Sequence, residues 1–291
     1  MSDIRTLASQ MPFWIQVTRL DRPVGWIVLL WPTWIALTLA SFKADAFNLG
    51  IWVIFTLGVI ITRSAGCVVN DLTDRKFDKH VKRTKTRPIT AGNLPVKDAV
   101  ILAVVLLLIA FGLVLQTNAE TVYLSFVALG LAVLYPWLKR ITFWPQIGLG
   151  LAFSMAIPMA FTAYRQPLDA LVWALFAGNV AWTLAYDTFY AMVDRDDDLR
   201  IGVKSTAIVF GRYDLVAIGF CQLIALTAFA YTFWLAQLNP FAIFGVIGAA
   251  GFAVQHQWIA KSRARDVCFR AFIENHRFGA ALFVGAVLGS L

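Results

Sequence analysis

Charge is scarce in this chain. Only 14% of its 291 residues are Asp, Glu, Lys or Arg, while 59% are hydrophobic; an ordinary soluble domain carries about 25% charged residues. A water-soluble fold of this size lacks the polar residues to cover its surface, and that class is excluded. Cysteine and histidine are also sparse. Cys67, Cys221 and Cys268 lie far apart in or beside apolar stretches and form no C-x-x-C pair, which argues against a zinc or dithiol redox site and leaves them as packing residues. His80, His256 and His276 show no i, i+4 pairing, so no two imidazoles face one metal or haem. The net charge of +8 would suit nucleic acid only if the basic residues formed a stripe on a soluble domain. They alternate instead with long apolar runs, and no nucleic-acid partner is expected.

Those runs are what the sequence has in abundance. A helix that spans a membrane needs about 20 apolar residues, and nine segments approach that length: 24–40, 49–69, 99–115, 121–138, 147–163, 170–191, 215–235, 241–260 and a last one ending at Leu291. The last is predicted to begin near Phe269 and to carry Arg277 to an interface by snorkelling. Ala44-Asp45-Ala46 imitates a signal-peptide cleavage site, but the run before it is longer than a typical h-region and follows Arg19-Leu20-Asp21-Arg22 rather than a short basic segment. Val24–Ala40 is therefore read as the first membrane helix. The expected fold is an all-α polytopic membrane protein with nine transmembrane helices, forming a single domain over residues 1–291.

Orientation follows from lysine and arginine, which accumulate in cytoplasmic connections. The N-terminal tail and every second loop hold 22 of the 25. The opposite loops hold only Lys43 and Arg165, and Arg63 falls inside the second span. The N-terminus is predicted to be cytoplasmic and the C-terminus outside. The two long connections, 71–98 and 194–214, both fall on the cytoplasmic side, where function is sought.

Both carry aspartates in one pattern. The second span runs into Asn70-Asp71-Leu72-Thr73-Asp74-Arg75-Lys76-Phe77-Asp78, and the sixth into a stretch from Asp187 through Tyr190 to Asp194-Arg195-Asp196-Asp197-Asp198. Asp74/Asp78 and Asp194/Asp198 each form Asp-x-x-x-Asp, and residues four apart share a helical face. Asn70 joins the first face and Asp187 the second, whereas Asp196 and Asp197 point elsewhere and are expected to be solvated. Four spans separate the motifs, so they form a parallel pseudo-repeat and emerge on one side. Clustered carboxylates repel unless cations lie between them, and Mg2+ combines carboxylate oxygens with substrate phosphates. The pattern implies a magnesium-bound diphosphate.

Cations follow each motif: Lys82-Arg83-Thr84-Lys85 after the first and Lys204-Ser205-Thr206 after the second. They stand where a departing diphosphate develops charge, although basic loops on this side are expected from orientation alone. Gly202-Val203-Lys204-Ser205 is not a phosphate loop of the Walker type, because the earlier glycine is missing. Arg63 lies seven residues before Asn70 on the same face, and an intramembrane arginine is costly enough to suggest function. It would bind a substrate carboxylate, hold the acids, or form an ion pair within the bundle. Asn179 and Thr183 suggest a polar stripe below Asp187, and with Arg63 a polar pocket with apolar walls beneath.

With these motifs in view the chain resembles the UbiA superfamily of intramembrane prenyltransferases, and most closely its 4-hydroxybenzoate polyprenyltransferases. The likeness runs from Arg19-Leu20-Asp21-Arg22-Pro23-Val24-Gly25 through Asn70–Asp78, Tyr135-Pro136 with Lys139-Arg140 and Pro145-Gln146, and Tyr186–Asp198, to Cys268-Phe269 and Asn275. The resemblance implies a central cavity open sideways to lipid and a cytoplasmic cap formed by the two long loops. It also implies Asn70, Asp74, Asp194 and Asp198 as the nearest Mg2+ ligands, with Asp71, Asp78 and Asp187 supporting them or binding through water. Arg63, Lys139 and Arg140 are the cations available to an acceptor carboxylate, and Tyr190 belongs to the subfamily's stretch Tyr190–Arg195.

The implied reaction moves a polyprenyl group from polyprenyl diphosphate to the ring carbon ortho to the hydroxyl of 4-hydroxybenzoate, a step of ubiquinone biosynthesis in the bacterial inner membrane. Another family acceptor, a haem or menaquinone precursor, remains open. The apolar tail would lie among the helices and leave toward membrane lipid, with Trp26, Trp31 and Phe153 as candidate lining. A cation-coupled transporter is the competing class, but transport sites usually sit near the midplane between inverted repeats, and a non-catalytic scaffold leaves matched acid pairs without a purpose. A reporter that is active only outside the cytoplasm, fused after Leu291, is expected to be active; an active cytoplasmic reporter there would invert the topology.

Overall fold

The computed structural model describes residues 12–291, and among these there is no β-strand. Thirteen α-helices follow one another: α1 Phe13–Thr18, α2 Val24–Ala44, α3 Leu49–Asp78, α4 Val96–Val114, α5 Ala119–Ile141, α6 Pro145–Ser154, α7 Ala156–Ala163, α8 Ala170–Ile201, α9 Thr206–Phe210, α10 Asp214–Leu235, α11 Ala242–Ile259, α12 Arg265–Glu274 and α13 His276–Ser290. Starts at the end of the bundle away from the motifs are capped by side chains. Asn48 accepts from the Ile51 N–H, Asn118 from Thr121, and Asp169 from Leu171 and Val172. Each satisfies donors that the first helical turn leaves without partners. Between α6 and α7 the cause of the break is Pro158, which cannot donate to the carbonyl of Ser154 and crowds it.

Seven stretches are long and apolar enough to cross a membrane: α2, α3, α4, α5, α6 with α7, Thr206–Leu235 and Ala242–Ser262. The chain is a multi-pass, all-helical membrane protein. Two of the nine expected spans differ. The sixth, within α8, is diluted by Asn179, Thr183 and Asp187, yet 18 of its 32 residues are buried. Most of its surface is packed against other helices, and little of it faces lipid. The ninth is not one helix from Phe269. Asn275 divides it into the polar α12 and a 15-residue α13. The Asn275 amide turns back onto the carbonyl of Ala271 at 2.7 Å and accepts from the indole N–H of Trp182 at 3.3 Å. Arg277 pairs with Glu274 at 2.7 Å across the break.

The helices close into a ring, in the order α2, α3, α4, α5, α6 with α7, α8, α10, α11, α13 and back to α2. Packing is dense everywhere except between α4 and α5, whose seam is the thinnest in the ring. On the dense side Trp182 stacks on Phe278 with centroids 5.3 Å apart, and Ile35, Phe161 and Phe229 are fully buried. There α11 and α13 meet backbone to backbone. A Cβ on Gly245 would lie 2.5 Å from the Gly285 Cα, a close approach that small residues permit inside a membrane.

By the helical rise of 1.5 Å per residue, α3 and α8, with 30 and 32 residues, are about 45 Å and 48 Å long, against a hydrocarbon core of roughly 30 Å. Their motif-bearing ends therefore project past the apolar layer as continuous helix. The connections expected as loops from residues 71 and 194 begin as helix and become irregular only after Asp78 and Ile201. Gly245→Leu is expected to cost about 1–3 kcal/mol by overpacking, lowering the unfolding temperature in detergent. Gly251→Leu, where a side chain meets nothing within 4 Å, should leave it unchanged.

Candidate active site

Between the helices lies a cavity of about 2130 Å3, lined by Asn70, the anticipated site aspartates of both motifs and the anticipated cations Arg63, Lys82, Arg83, Lys139, Arg140 and Lys204, with Tyr190. Its mouth is formed by the projecting ends of α3 and α8, the turns between α3 and α4, and the end of α5. Below the mouth the walls become apolar, and the cavity reaches the thin α4/α5 seam along Leu107, Phe111, Phe126 and Leu129.

Four of the acids at the mouth are paired with cations. Asp71, only 1% exposed, receives Arg19 at 2.7 Å and Arg87 at 2.9 Å. Arg87 also reaches Asp78 at 2.8 Å, bridging the two carboxylates. Asp74 faces Lys139 at 3.5 Å and Arg140 at 4.0 Å. Asp194 takes a two-pronged contact from Arg83, whose guanidinium also lies over the Tyr190 ring at 4.6 Å. Because Arg83 follows the first motif and Asp194 belongs to the second, this pair ties the two motifs across the mouth. On the far wall, Lys204 donates to the Ile141 carbonyl at 3.0 Å. The backbone N–H of Lys82 approaches Asp197.

Among the described residues no three His, Cys, Asp or Glu side chains are drawn together tightly enough to hold a metal ion. The donor set nevertheless suits a hard cation. The Asn70 carboxamide oxygen is buried without a hydrogen-bond donor, one turn before Asp74 on the same face. The Asp198 carboxyl, beyond the apolar part of α8, is pushed up to about 7 by burial and by the like charge of Asp194, a repulsion that a divalent cation would relieve. All these donors are oxygens, as Mg2+ prefers.

Arg63 sits deeper. Its Nε donates to the carbonyl of Gly25 at 3.2 Å and its guanidinium faces the Phe153 ring at 5.8 Å. No carboxylate lies within ion-pair distance of it among the described residues, so the ion-pair alternative is not what the structure contains. A Cβ at Gly25 would stand in ordinary contact, 3.5 Å from the guanidinium nitrogens.

Several expectations change. Asn179 and Thr183 do not line the cavity; both are buried in packing, with Asn179 donating to the Ser154 hydroxyl at 2.8 Å. A hydroxyl on α6 three turns from the motifs carries no signal in the sequence that it will meet α8. Asp197 is not solvated: it is 3% exposed and held by Arg265 at 3.0 Å, while Asp196 meets the same arginine at 3.2 Å from the surface. Their partner comes from α12, about 70 residues on in the chain. Trp26 and Trp31 are absent from the cavity wall, and Trp31 packs on Trp34 and Phe283; Phe153 does line it. Arg19 and Arg87 take parts in the mouth that basic-loop composition alone did not distinguish. Arg87→Ala would strand Asp78 and leave Asp71 with one partner, so a loss of about 3 kcal/mol is expected, read as a lower unfolding temperature.

Comparison with known proteins gives the same architecture. A UbiA homolog from Aeropyrum pernix K1 superposes with a TM-score of 0.80 at 22% identity, covering 91% of this chain and 98% of that one. A UbiA homolog from Archaeoglobus fulgidus, bound to GPP and Mg2+, gives 0.70 at 18% identity over 95% and 100%. In sequence, the 4-hydroxybenzoate octaprenyltransferase of Tolumonas auensis is 51% identical over 281 residues, 97% of each chain. That of Polaromonas sp. is 47% identical over 287 residues, 98% of this chain and 99% of the relative. The sequence profile of the UbiA prenyltransferase family matches residues 29–283, and the chain belongs to that family.

Proposed function

We propose that this protein transfers a polyprenyl group from polyprenyl diphosphate to the carbon ortho to the hydroxyl of 4-hydroxybenzoate, releasing diphosphate, as a step of ubiquinone biosynthesis. The observation that carries this reading is one cavity with a charged mouth, a lone arginine further in and apolar walls. Those three parts match a diphosphate, a carboxylate and a prenyl chain. Relatives named 4-hydroxybenzoate octaprenyltransferase, near 50% identity over almost the whole chain, support the acceptor and suggest an eight-isoprene donor.

Asn70, Asp74, Asp194 and Asp198 would hold Mg2+, with Asp71 and Asp78 fixed behind them by Arg19 and Arg87. The ion would supply neutralisation of the diphosphate, weakening the C–O bond to the allylic carbon. Arg83 and Lys139, now on Asp194 and Asp74, are placed to turn onto the diphosphate once those acids are engaged, and Lys82, Arg140 and Lys204 add positive charge around the leaving group. Arg63 would bind the carboxylate of the acceptor and present its ring to the prenyl carbon. The apolar wall toward the α4/α5 seam gives the tail a route to lipid. In this reading nine segments cross a bacterial inner membrane, with α8 and the α12–α13 pair completing the seven apolar stretches. The two halves form a parallel repeat in a single domain, and the motif end, capped by the two connections, faces the cytoplasm.

Purified protein in detergent, given the two substrates with magnesium or EDTA, is expected to form prenylated 4-hydroxybenzoate only with magnesium. Asp74→Ala and Asp194→Ala should each lose about 3 kcal/mol or more of transition-state stabilisation, at least a hundredfold in rate. Arg63→Ala should raise KM for the acceptor about tenfold or more while leaving donor binding intact. Diphosphate release without prenylation of this acceptor would keep the metal chemistry and replace the acceptor. A protein that neither binds nor cleaves the donor would overturn the reading.

A further inference from the structure

The reaction just described leaves one proton without a destination. When the ortho carbon bonds to the prenyl carbon, the C–O bond breaks and the diphosphate leaves with its electron pair. The ring regains aromaticity only when the C–H bond at that carbon breaks, its electrons returning to the ring and its proton passing to a base. We propose that Asp187 is that base, a catalytic role for this side chain that rests on the reading above.

The first argument is elimination by partner. Asp71, Asp74, Asp78 and Asp194 all have Arg or Lys partners within 4.0 Å. Asp21, also on the cavity wall, is paired with Arg22 at 3.5 Å. Among the described residues Asp187 and Asp198 have no ion pair and no side-chain hydrogen bond to a donor. Asp198 stands with the cation-binding set at the mouth, and Asp266, which also lines the cavity, is exposed to solvent; Asp187 is left as the buried cavity carboxylate free of both uses. Tyr135, Tyr186 and Tyr190 also line the cavity, but a neutral phenol is a poor proton acceptor, and Lys139 is engaged as a cation with Asp74.

The second argument is depth. Asp187 precedes Asp194 by seven residues on one helix, which sets it about 10 Å below the cation level. Arg63 precedes Asp74 by eleven on α3, about 16 Å below. A ring whose carboxylate rests on Arg63 and whose ortho carbon reaches up toward the diphosphate must pass the level of Asp187. Asp187 is 9% exposed, so bulk water does not compete freely for the proton.

The test uses full-length protein in detergent with Asp187→Asn, which keeps size and removes basicity. Magnesium-dependent binding of the polyprenyl diphosphate is expected to match wild type, while prenylation of 4-hydroxybenzoate falls about a hundredfold or more. Acceptor deuterated at both carbons ortho to the hydroxyl should react more slowly than unlabelled acceptor in the variant, because loss of the ring proton has become the slow step. Asp187→Glu, which retains a carboxylate, should recover part of the rate and lessen the isotope effect. Donor binding lost together with prenylation in Asp187→Asn would return Asp187 to the cation site and overturn the proposal, as would a slow variant with no isotope effect or a variant as fast as wild type. Failure of wild type to bind the donor would instead sink the prenyltransferase reading itself.

Discussion

Mutual repulsion among carboxylates is the constraint on which this structure turns. Six aspartates from two helices face one cavity, five at its mouth and Asp187 further in, at the edge of an apolar layer where ionised groups are poorly solvated. Each must be neutralised, protonated or left strained. In the protein by itself, neutralisation falls to Arg19, Arg83, Arg87, Lys139 and Arg140. Those cations come from the N-terminal segment, the turns after α3 and the end of α5, so balancing the charge also assembles the mouth. The Arg83–Asp194 contact is the clearest case, since it spans 111 residues and draws the first motif's connection onto the second motif.

The same constraint sorts the arginine pairs by role. Arg87 between Asp71 and Asp78, and Arg265 across Asp196 and Asp197, hold helix ends in register. Arg195 and Arg263 do likewise around the fully buried Asp214 at the start of α10. Arg83 and Lys139 are different, because their partners are the acids best placed to take a cation, so their present contacts are exchangeable. Arg63 is different again, bonded only to a carbonyl and an aromatic face, with its charge directed into the cavity.

Lipid imposes the second demand, and α8 shows how it is met. A helix surrounded by protein need not be apolar, so α8 carries Asn179, Thr183 and Asp187 through the bundle while α4 and α5, exposed to lipid on most of their surface, consist almost wholly of apolar residues. The price of a substrate cavity appears at the seam between those two helices. Their facing sides are given over to lining it, and packing there is thin where α11 and α13, across the ring, close to backbone contact.

The membrane-spanning class, seven of the apolar stretches, the acidic ends of two helices and the placement of Arg63 within a span were all legible in the residues themselves. Each rests on a local property: the length of an apolar run, the four-residue repeat of a helical face, the cost of a charge inside a span. What the residues alone did not yield depends on contacts between distant segments. Asn179 was read as part of the pocket because it lies below Asp187, but the chain turns that face onto Ser154 of α6. Asp197 was read as solvated because nothing nearby in sequence could pair with it, yet Arg265 arrives from α12. The break at Asn275 depends on a hydrogen bond from Trp182, 93 residues away. Local chemistry thus determined which segments enter the membrane and which side chains bear charge. Only the packing of α8 among its neighbours decided which of those charges face the cavity and which are held as struts, because partner choice is a property of space rather than of spacing along the chain.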